Sequence, residues 1–176
     1  MKTTVLFICT HNSARSQMAE GLLNAFHGDR FEAMSAGTEP TAVHPMAVRA
    51  MAELGIDISR ARSKPVNEFF DRDIDYVITV CDRAHQGCPF FAGGKHRLHK
   101  GFGDPARPGL DDGALLNLFR HTRDEIREWL EKEFVPFATG GAASSREGGA
   151  PLSQEGAQEP GSSPDWKYFR FSQRET

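Results

Sequence analysis

Long apolar runs, cysteine and an excess of charge of one sign are all scarce in this 176-residue chain. No stretch approaches the roughly 18 uncharged apolar residues of a membrane-spanning helix, so we expect no membrane segment. The apolar run at residues 5–9 is shorter than the roughly 7–15 residues of a signal-peptide core, which argues against a secretory leader. The formal net charge of −3 gives no reason to expect nucleic acid as a partner.

Cysteine occurs only three times, as Cys9, Cys81 and Cys88. This number is odd and too small for a secreted fold held together by disulfides. We therefore expect a cytoplasmic protein whose cysteines take part in chemistry. No exposed apolar stripe is evident in the sequence, and we accordingly expect a monomer.

Large apolar residues almost disappear after residue 138. Residues 139–164 contain six Gly, five Ser and three Pro, and Leu152 is the only large apolar residue among them. Such a segment cannot bury enough apolar surface to offset the entropy lost on ordering. We predict one folded domain over residues 1–138 and a disordered tail over residues 139–176. Four aromatic residues return between positions 166 and 171, and we favour a disordered terminus there over a docking peptide for a partner or for the domain itself.

Strand and helix patterns alternate along the first 138 residues. Short β-branched or apolar runs predict strands, and apolar residues spaced three or four apart predict helices. The predicted strands cover residues 3–9, 31–35, 74–81 and 96–100, and the predicted helices include residues 18–26, 45–54 and 113–134. This alternation predicts an α/β domain with a parallel sheet covered by helices on both faces.

A polar loop separates the first predicted strand from the first predicted helix. Open α/β sheets bind ligands at this position, beyond the end of a strand and against the start of a helix. Backbone N–H groups and the helix dipole favour an oxyanion there. The candidate oxyanion-binding residues are Thr10, His11, Asn12, Ser13, Ala14, Arg15 and Ser16.

Cys9 and Arg15 bracket this loop, with five residues between them. The guanidinium can fold back over a bound anion, and the positive environment is expected to lower the pKa of the Cys9 thiol. A thiolate that faces a bound tetrahedral oxyanion can attack phosphorus or arsenic. Ser16 can donate a hydrogen bond to the thiolate or act as a helix cap. An isolated pattern of this kind recurs by chance, but the flanking strand and helix favour the functional interpretation.

The segment from Cys9 to Gly21, with Ser35-Ala36-Gly37 and Asp104-Pro105, resembles the arsenate reductases that share the low-molecular-weight protein tyrosine phosphatase fold. The resemblance covers residues 3–134. It implies a four-stranded parallel sheet in flavodoxin-like order, arsenate as the substrate and Asp104 as the general acid. Pro105 restrains Asp104 toward an extended backbone, although an ordinary turn would use the same pair.

The two remaining cysteines favour a reductase over a phosphatase. A hydrolase needs one thiolate and a water, whereas a reductase must dispose of two electrons, which thiols do by forming a disulfide. The resemblance implies that Cys9 attacks arsenate, that Cys81 then attacks Cys9, and that Cys88 takes over Cys81 to leave a disulfide for thioredoxin to reduce. Ala106 also follows Asp104-Pro105, where phosphatases of this fold carry Tyr.

Three other interpretations stay open. The chain could be a low-molecular-weight phosphatase, or a sensor of oxyanions or thiol redox state that does not turn over. A zinc site would use Cys81, Cys88, His96 and His99 as ligands. It is less favoured, because six residues separate the two cysteines, which is a loose spacing for metal ligands. We predict no metal and no cofactor.

Some relatives that use thioredoxin hold a potassium ion beside the loop with an Asn, a Glu, a Ser and an Asp. Asn12, Glu20 and Ser35 match the first three residues, and Lys64 stands at the fourth. A lysine ammonium can supply the charge of the ion, so we predict no potassium requirement.

Overall fold

A parallel sheet lies at the centre of the computed structural model, which describes residues 1–81 and 94–140 and the backbone of Phe169–Arg170. Its order is β2-β1-β3-β4-β5. The strands are β1 (Thr3–Cys9), β2 (Phe31–Gly37), β3 (Ile74–Thr79), β4 (Gly94–His99) and β5 (Phe169–Arg170). The first four confirm the predicted four-stranded parallel sheet and its flavodoxin-like order.

Helices connect and cover these strands. They are α1 (Arg15–His27), α2 (Pro45–Ala52), α3 (Asp112–Trp129) and α4 (Val135–Ala138), with a 3₁₀ turn at Val66–Phe69 and a π-helical turn at Leu130–Phe134. The 3₁₀ turn and α4 were not predicted, whereas the π-helical turn lies within the helix predicted over residues 113–134. Among the described residues, no helix is long and apolar enough to cross a membrane.

Burial explains why β1 was predicted with its observed bounds. Every residue from Val5 to Cys9 is at most 3% exposed, which requires cover on both faces of the sheet. Each β1 residue pairs in parallel with β2, from Thr3 opposite Phe31 to Cys9 opposite Gly37, and residues 5–8 also pair with β3. The carboxyl ends of β1 and β3 therefore lie side by side.

The predicted boundary between domain and tail falls at the end of α4, at Ala138. Most of the tail lies outside the described residues, so its predicted disorder stays a prediction. Phe169 and Arg170 are described, and they pair with Leu98 and His99 on the outer edge of β4.

Helices α2 and α3 are joined by a network of ion pairs. The Arg123 side chain is 8% exposed, and its Nη1 donates to the Ala50 carbonyl at 2.7 Å and to Glu53 at 3.1 Å. Arg120 Nε also donates to both Glu53 carboxylate oxygens, at 2.9 and 3.0 Å. The hydrogen bonds from Arg120 and then Arg123 lower the pKa of Glu53 to about 2. Glu53 is therefore a charged link between the two helices.

Replacing Glu53 by Gln should weaken this link in a pH-dependent way. Because the folded pKa lies below the ordinary value of 4.5, the stabilisation is complete above pH 4.5 and is lost as the pH falls toward 2. At pH 7 we expect Glu53→Gln to lower the free energy of unfolding by about 1 kcal/mol, since the side chain is partly exposed and solvent screens it. Urea unfolding from pH 7 to pH 3 measures the difference. Glu128→Gln, at an exposed pair with Lys132, is the control and should change stability less. If the free energy of unfolding differed between wild type and Glu53→Gln by the same amount at every pH, the role of Glu53 would be contradicted.

Candidate active site

The predicted oxyanion loop lies at the carboxyl end of β1 and leads into α1. Strand order reverses here, with β2 on one side of β1 and β3 on the other, which is the position where open α/β sheets bind ligands. Helix α1 begins without a side-chain cap at Ala14. Its first N–H groups are thus left for a ligand rather than for a capping side chain.

The carbonyl groups of the loop are turned outward. Backbone N–H groups from residues 38–44 donate to four of them over 2.8–3.2 Å: Cys9, Thr10, His11 and Ser13. The Asn12 carbonyl accepts from Gln17 Nε2 at 3.1 Å and from Ser63 Oγ at 2.7 Å. With the carbonyls held on the outside, the loop N–H groups are available on the inside, where an anion would bind.

Asn12 fixes the shape of the loop. Its φ of 48° is left-handed, a conformation that Asn tolerates better than most residues. The buried side chain donates from Nδ2 to Ser16 Oγ and Ser35 Oγ, both at 2.8 Å. Its Oδ1 accepts from the Lys64 backbone N–H at 2.8 Å and from Gln17 Nε2 at 3.0 Å. These contacts hold the loop in one conformation from within.

Cys9 lies beneath the loop and is 3% exposed. Its Sγ is 2.9 Å from Ser16 Oγ and accepts from the Asn12 backbone N–H at 3.1 Å. Burial raises the pKa of the Cys9 thiol, the charge of nearby Cys81 raises it further, and the hydrogen bonds from Ser16 and Asn12 oppose them. The net direction is upward, so the expected lowering of the Cys9 pKa was wrong. Sequence could not show how completely the thiol is removed from water.

Arg15 and Asp104 meet at the mouth of the site. Arg15 Nη2 lies 3.4 Å from Asp104 Oδ2, with the Arg15 side chain 14% exposed and the Asp104 side chain 57% exposed. Arg15 Nη1 also donates to the Phe102 carbonyl at 3.0 Å. The guanidinium thus joins α1 to residues 100–105, which we call the acid loop. The structure brings together the two residues that the sequence placed 89 positions apart.

The acid loop is anchored behind Asp104. The Phe102 backbone N–H donates to the Val80 carbonyl at 3.2 Å, and its ring packs edge-on against Trp129 at a centroid distance of 5.9 Å. Asp104 Oδ1 accepts from the Ala106 backbone N–H at 3.1 Å. Asp104 is therefore placed by the sheet and by α3, while its carboxylate stays open to solvent.

Cys81 is the second thiol at the site. It follows β3 and is 3% exposed, and its Sγ lies 3.5 Å from Thr10 Oγ1 in the oxyanion loop. Its charge also acts on the Cys9 thiol, so both sulfurs share one buried region. Cys9 and Cys81 are not joined by a disulfide. Cys88 lies outside the described residues.

The histidines of the alternative zinc set have other contacts. His99 Nδ1 lies 2.8 Å from Thr79 Oγ1, and the His96 ring stacks on Tyr76 at 4.9 Å. Within residues 1–81 and 94–140, no group of three or more His, Cys, Asp or Glu side chains could hold a metal ion. His11, the other histidine considered at the site, is exposed at the loop.

Lys64 occupies the position that the resemblance gives to a cation ligand. Its Nζ lies 3.2 Å from Glu20 Oε2, and the Ser35 hydroxyl donates to the same carboxylate oxygen. Asn12 Nδ2 in turn donates to Ser35 Oγ. The Lys64 side chain is 15% exposed. A potassium ion does not fit these residues, because the ammonium already meets the carboxylate that would bind it.

Four residues that support the loop were not singled out from the sequence for this role. Gln17 and Ser63 hold the Asn12 carbonyl, and the His44 backbone N–H holds the Ser13 carbonyl. A Cβ at Gly37 would lie 2.7 Å from the Thr10 carbonyl oxygen and 2.9 Å from the Asn12 nitrogen, so only glycine fits there. Gly37 was noted only as part of the resemblance and as the end of a strand.

Fold and site together are those of an enzyme with a buried thiol beneath a Cys-x5-Arg loop and an acidic residue across from that loop. The sequence profile of the low molecular weight phosphotyrosine protein phosphatases matches residues 4–134. The chain belongs to this family.

The relatives and solved structures named here are arsenate reductases. An arsenate reductase of Halalkalibacterium halodurans is 43% identical over 125 residues, which cover 71% of this chain and 90% of the relative. A structure described as an arsenate reductase in the phosphate binding state is similar with a TM-score of 0.60 at 36% identity, covering 74% of this chain and 95% of that one. A thioredoxin-dependent arsenate reductase of Corynebacterium glutamicum is similar with a TM-score of 0.54 at 32% identity, covering 74% of this chain and 61% of that one.

Gly37 provides a test of the loop without touching the cysteines. Gly37→Ala should push the Thr10 carbonyl and the Asn12 nitrogen out of place and weaken oxyanion binding at least about tenfold, or roughly 1.4 kcal/mol. Calorimetric titration with inorganic phosphate measures the affinity. Gly103→Ala in the acid loop, where a Cβ meets nothing within 4 Å, is the matched control. Unchanged phosphate affinity in Gly37→Ala would show that the loop does not hold the anion.

Proposed function

We propose that this chain reduces arsenate to arsenite through a relay of three cysteines that thioredoxin resets. The observation that carries the proposal is the burial of Cys9 and Cys81 in one region beneath the oxyanion loop, where Thr10 contacts Cys81. Hydrolysis needs only one thiol there, whereas reduction needs a second within reach of the first. The arsenate reductases among the relatives support the same substrate.

In the first step, the Cys9 thiolate attacks arsenic of an arsenate bound in the loop. A sulfur–arsenic bond forms and an arsenic–oxygen bond breaks, so one oxygen leaves and needs a proton. Asp104 is the group at the mouth of the site that can deliver this proton, and its exposure lets solvent reprotonate it. Arg15 turns from Asp104 to the bound oxyanion and stabilises its charge.

In the second step, Cys81 attacks the Cys9 sulfur. The sulfur–arsenic bond breaks and its electron pair stays on arsenic, which leaves as arsenite while a Cys9–Cys81 disulfide forms. The Thr10 hydroxyl, 3.5 Å from Cys81 Sγ, can donate a hydrogen bond to the attacking sulfur.

In the third step, Cys88 attacks Cys81 and frees the Cys9 thiolate for another cycle. The resulting Cys81–Cys88 disulfide takes two electrons from a dithiol protein by exchange. We propose thioredoxin for this role, supported by the thioredoxin-dependent relative. Three cysteines are too few for a secreted fold held together by disulfides, and we propose a cytoplasmic monomer.

Cys88→Ser separates the relay from simpler chemistry. Arsenate-dependent oxidation of NADPH, coupled through thioredoxin reductase and thioredoxin, should show many turnovers in the wild type and about one in Cys88→Ser. The single-turnover product should contain a Cys9–Cys81 disulfide, which mass spectrometry of alkylated protein detects. Cys9→Ser is the control and should show no turnover.

Other outcomes of this assay would change the assignment. Turnover with glutathione and glutaredoxin but not with thioredoxin would keep the reductase and change the electron donor. Hydrolysis of p-nitrophenyl phosphate without any arsenate-dependent turnover would replace the proposal by a phosphatase. Reversible oxidation of Cys81 and Cys88 without turnover on either substrate would favour the sensor.

Lys64 leads to a second prediction, on cations. Because its ammonium already meets Glu20, we expect equal initial rates in potassium chloride and sodium chloride at equal ionic strength. Lys64→Asp places two carboxylates together, so its rate should fall several-fold in sodium chloride and recover in potassium chloride. Lys132→Asp, on the exposed face near Glu128, is the control. A wild-type rate that requires potassium would contradict the role of Lys64.

A further inference from the structure

The backbone of Phe102 lies between the arginine of the site and the ends of the two central strands. Its carbonyl accepts from Arg15 Nη1 at 3.0 Å, and its N–H donates to the Val80 carbonyl at 3.2 Å. The Val80 N–H in turn donates to the Ile8 carbonyl of β1 at 2.9 Å. Ile8 and Val80 are the residues directly before the two buried thiols. One path of hydrogen bonds therefore joins the guanidinium to the backbone that carries both thiols.

Packing and backbone pairing fix the position of Phe102. Its ring is buried and meets the Trp129 ring edge-on at a centroid distance of 5.9 Å. The Trp129 ring is stacked in turn on the Phe134 ring, at 5.5 Å. The Lys100 N–H donates to the Thr79 carbonyl at 2.9 Å, so the start of the acid loop runs alongside the end of β3. Because close-packed aromatic rings leave little room for movement, the Phe102 carbonyl is held in one place.

The two contacts of the Arg15 guanidinium with the acid loop differ in strength. Nη2 lies 3.4 Å from the Asp104 carboxylate, which is 57% exposed, and solvent weakens such a pair. Nη1 donates over a shorter distance to the carbonyl of the buried Phe102, and breaking this bond would leave that carbonyl without its charged donor. A guanidinium is a rigid planar fork. Holding Nη1 therefore determines where its other N–H groups point.

We infer that the Phe102 carbonyl is the pivot of the Arg15 guanidinium, which makes Phe102 a positioning residue for oxyanion binding. This role rests on the proposed function, in which Arg15 turns from Asp104 to the bound oxyanion. Nη2 moves to the anion, while Nη1 stays on the Phe102 carbonyl. No covalent bond, electron or proton is transferred in this step. Because the Phe102 N–H is bonded to Val80, the guanidinium that holds the anion keeps its position relative to the backbone that carries Cys81.

Shortening the Phe102 side chain loosens the pivot without removing a group that touches the anion. Phe102→Ala should weaken the binding of inorganic phosphate about tenfold, and Phe102→Leu, which keeps part of the packing on Trp129, about threefold. Phe134→Leu is the matched control, because its ring packs on the same Trp129 ring, and it should leave the affinity unchanged. Phosphorus NMR titration measures the affinity, and circular dichroism checks folding. If Phe102→Ala does not fold, the two leucine variants decide the test.

A double-mutant cycle with Arg15→Lys separates positioning from a general loss of structure. Lysine lacks the guanidinium fork, so Phe102→Leu should cause no further loss of phosphate affinity in the Arg15→Lys background. An equal loss in both backgrounds, an equal loss in Phe134→Leu, or unchanged affinity in both Phe102 variants would overturn the inference. A wild type that does not bind phosphate would overturn it as well. If the wild type binds phosphate but does not reduce arsenate, the proposed function fails, and the cycle on phosphate binding still decides the role of Phe102.

Discussion

The conformation of Asn12 is the constraint on which the rest of the site depends. A left-handed residue at this point reverses the loop so that its carbonyl groups face the surrounding protein and its N–H groups face a common centre. The reversal is stable because both polar atoms of the buried Asn12 side chain and the backbone carbonyl are hydrogen-bonded. Such a hydrogen-bond network is strong only when every member has a partner. This network joins residues of α1, β2 and the 62–64 segment.

The same hydrogen bonds join the anion site to the nucleophile. Ser16 receives a hydrogen bond from Asn12 and contacts Cys9 Sγ, and the Asn12 backbone N–H reaches the same sulfur. These contacts stabilise a thiolate against the burial that disfavours it. Burial leaves both Cys9 and Cys81 only 3% exposed to solvent. The ion pair of Lys64 with Glu20 is joined to this network through Ser35, whose hydroxyl donates to the Glu20 carboxylate.

The sequence predicted those strands whose burial follows from their own run of apolar residues. β1 was predicted with its observed bounds because its five apolar residues are buried on both faces. β2 extends two residues beyond its predicted end, since Gly37 pairs with Cys9 although glycine usually marks a stop. β3 ends at Thr79 rather than Cys81, because its pairing with β4 stops at His99. No pattern in the neighbouring sequence predicts the contacts of Gln17, Ser63 and His44 with the loop. Each contact depends on how segments distant in the sequence fold together.

In the proposed mechanism, what distinguishes reduction from hydrolysis lies at the carboxyl end of β3 and not in the oxyanion loop. The loop, Arg15 and the acid suit any tetrahedral oxyanion, and a water that enters after the first step would complete a hydrolysis. Cys81 follows β3 and contacts Thr10 of the loop, and in the proposed mechanism it attacks the Cys9 adduct before water does. Competition between a buried thiol and water for the Cys9 adduct then decides the reaction, and exclusion of solvent from that end of the sheet favours the thiol. One scaffold can therefore support both chemistries, and in the proposed relay the cysteines beyond the end of β3 decide which of them occurs.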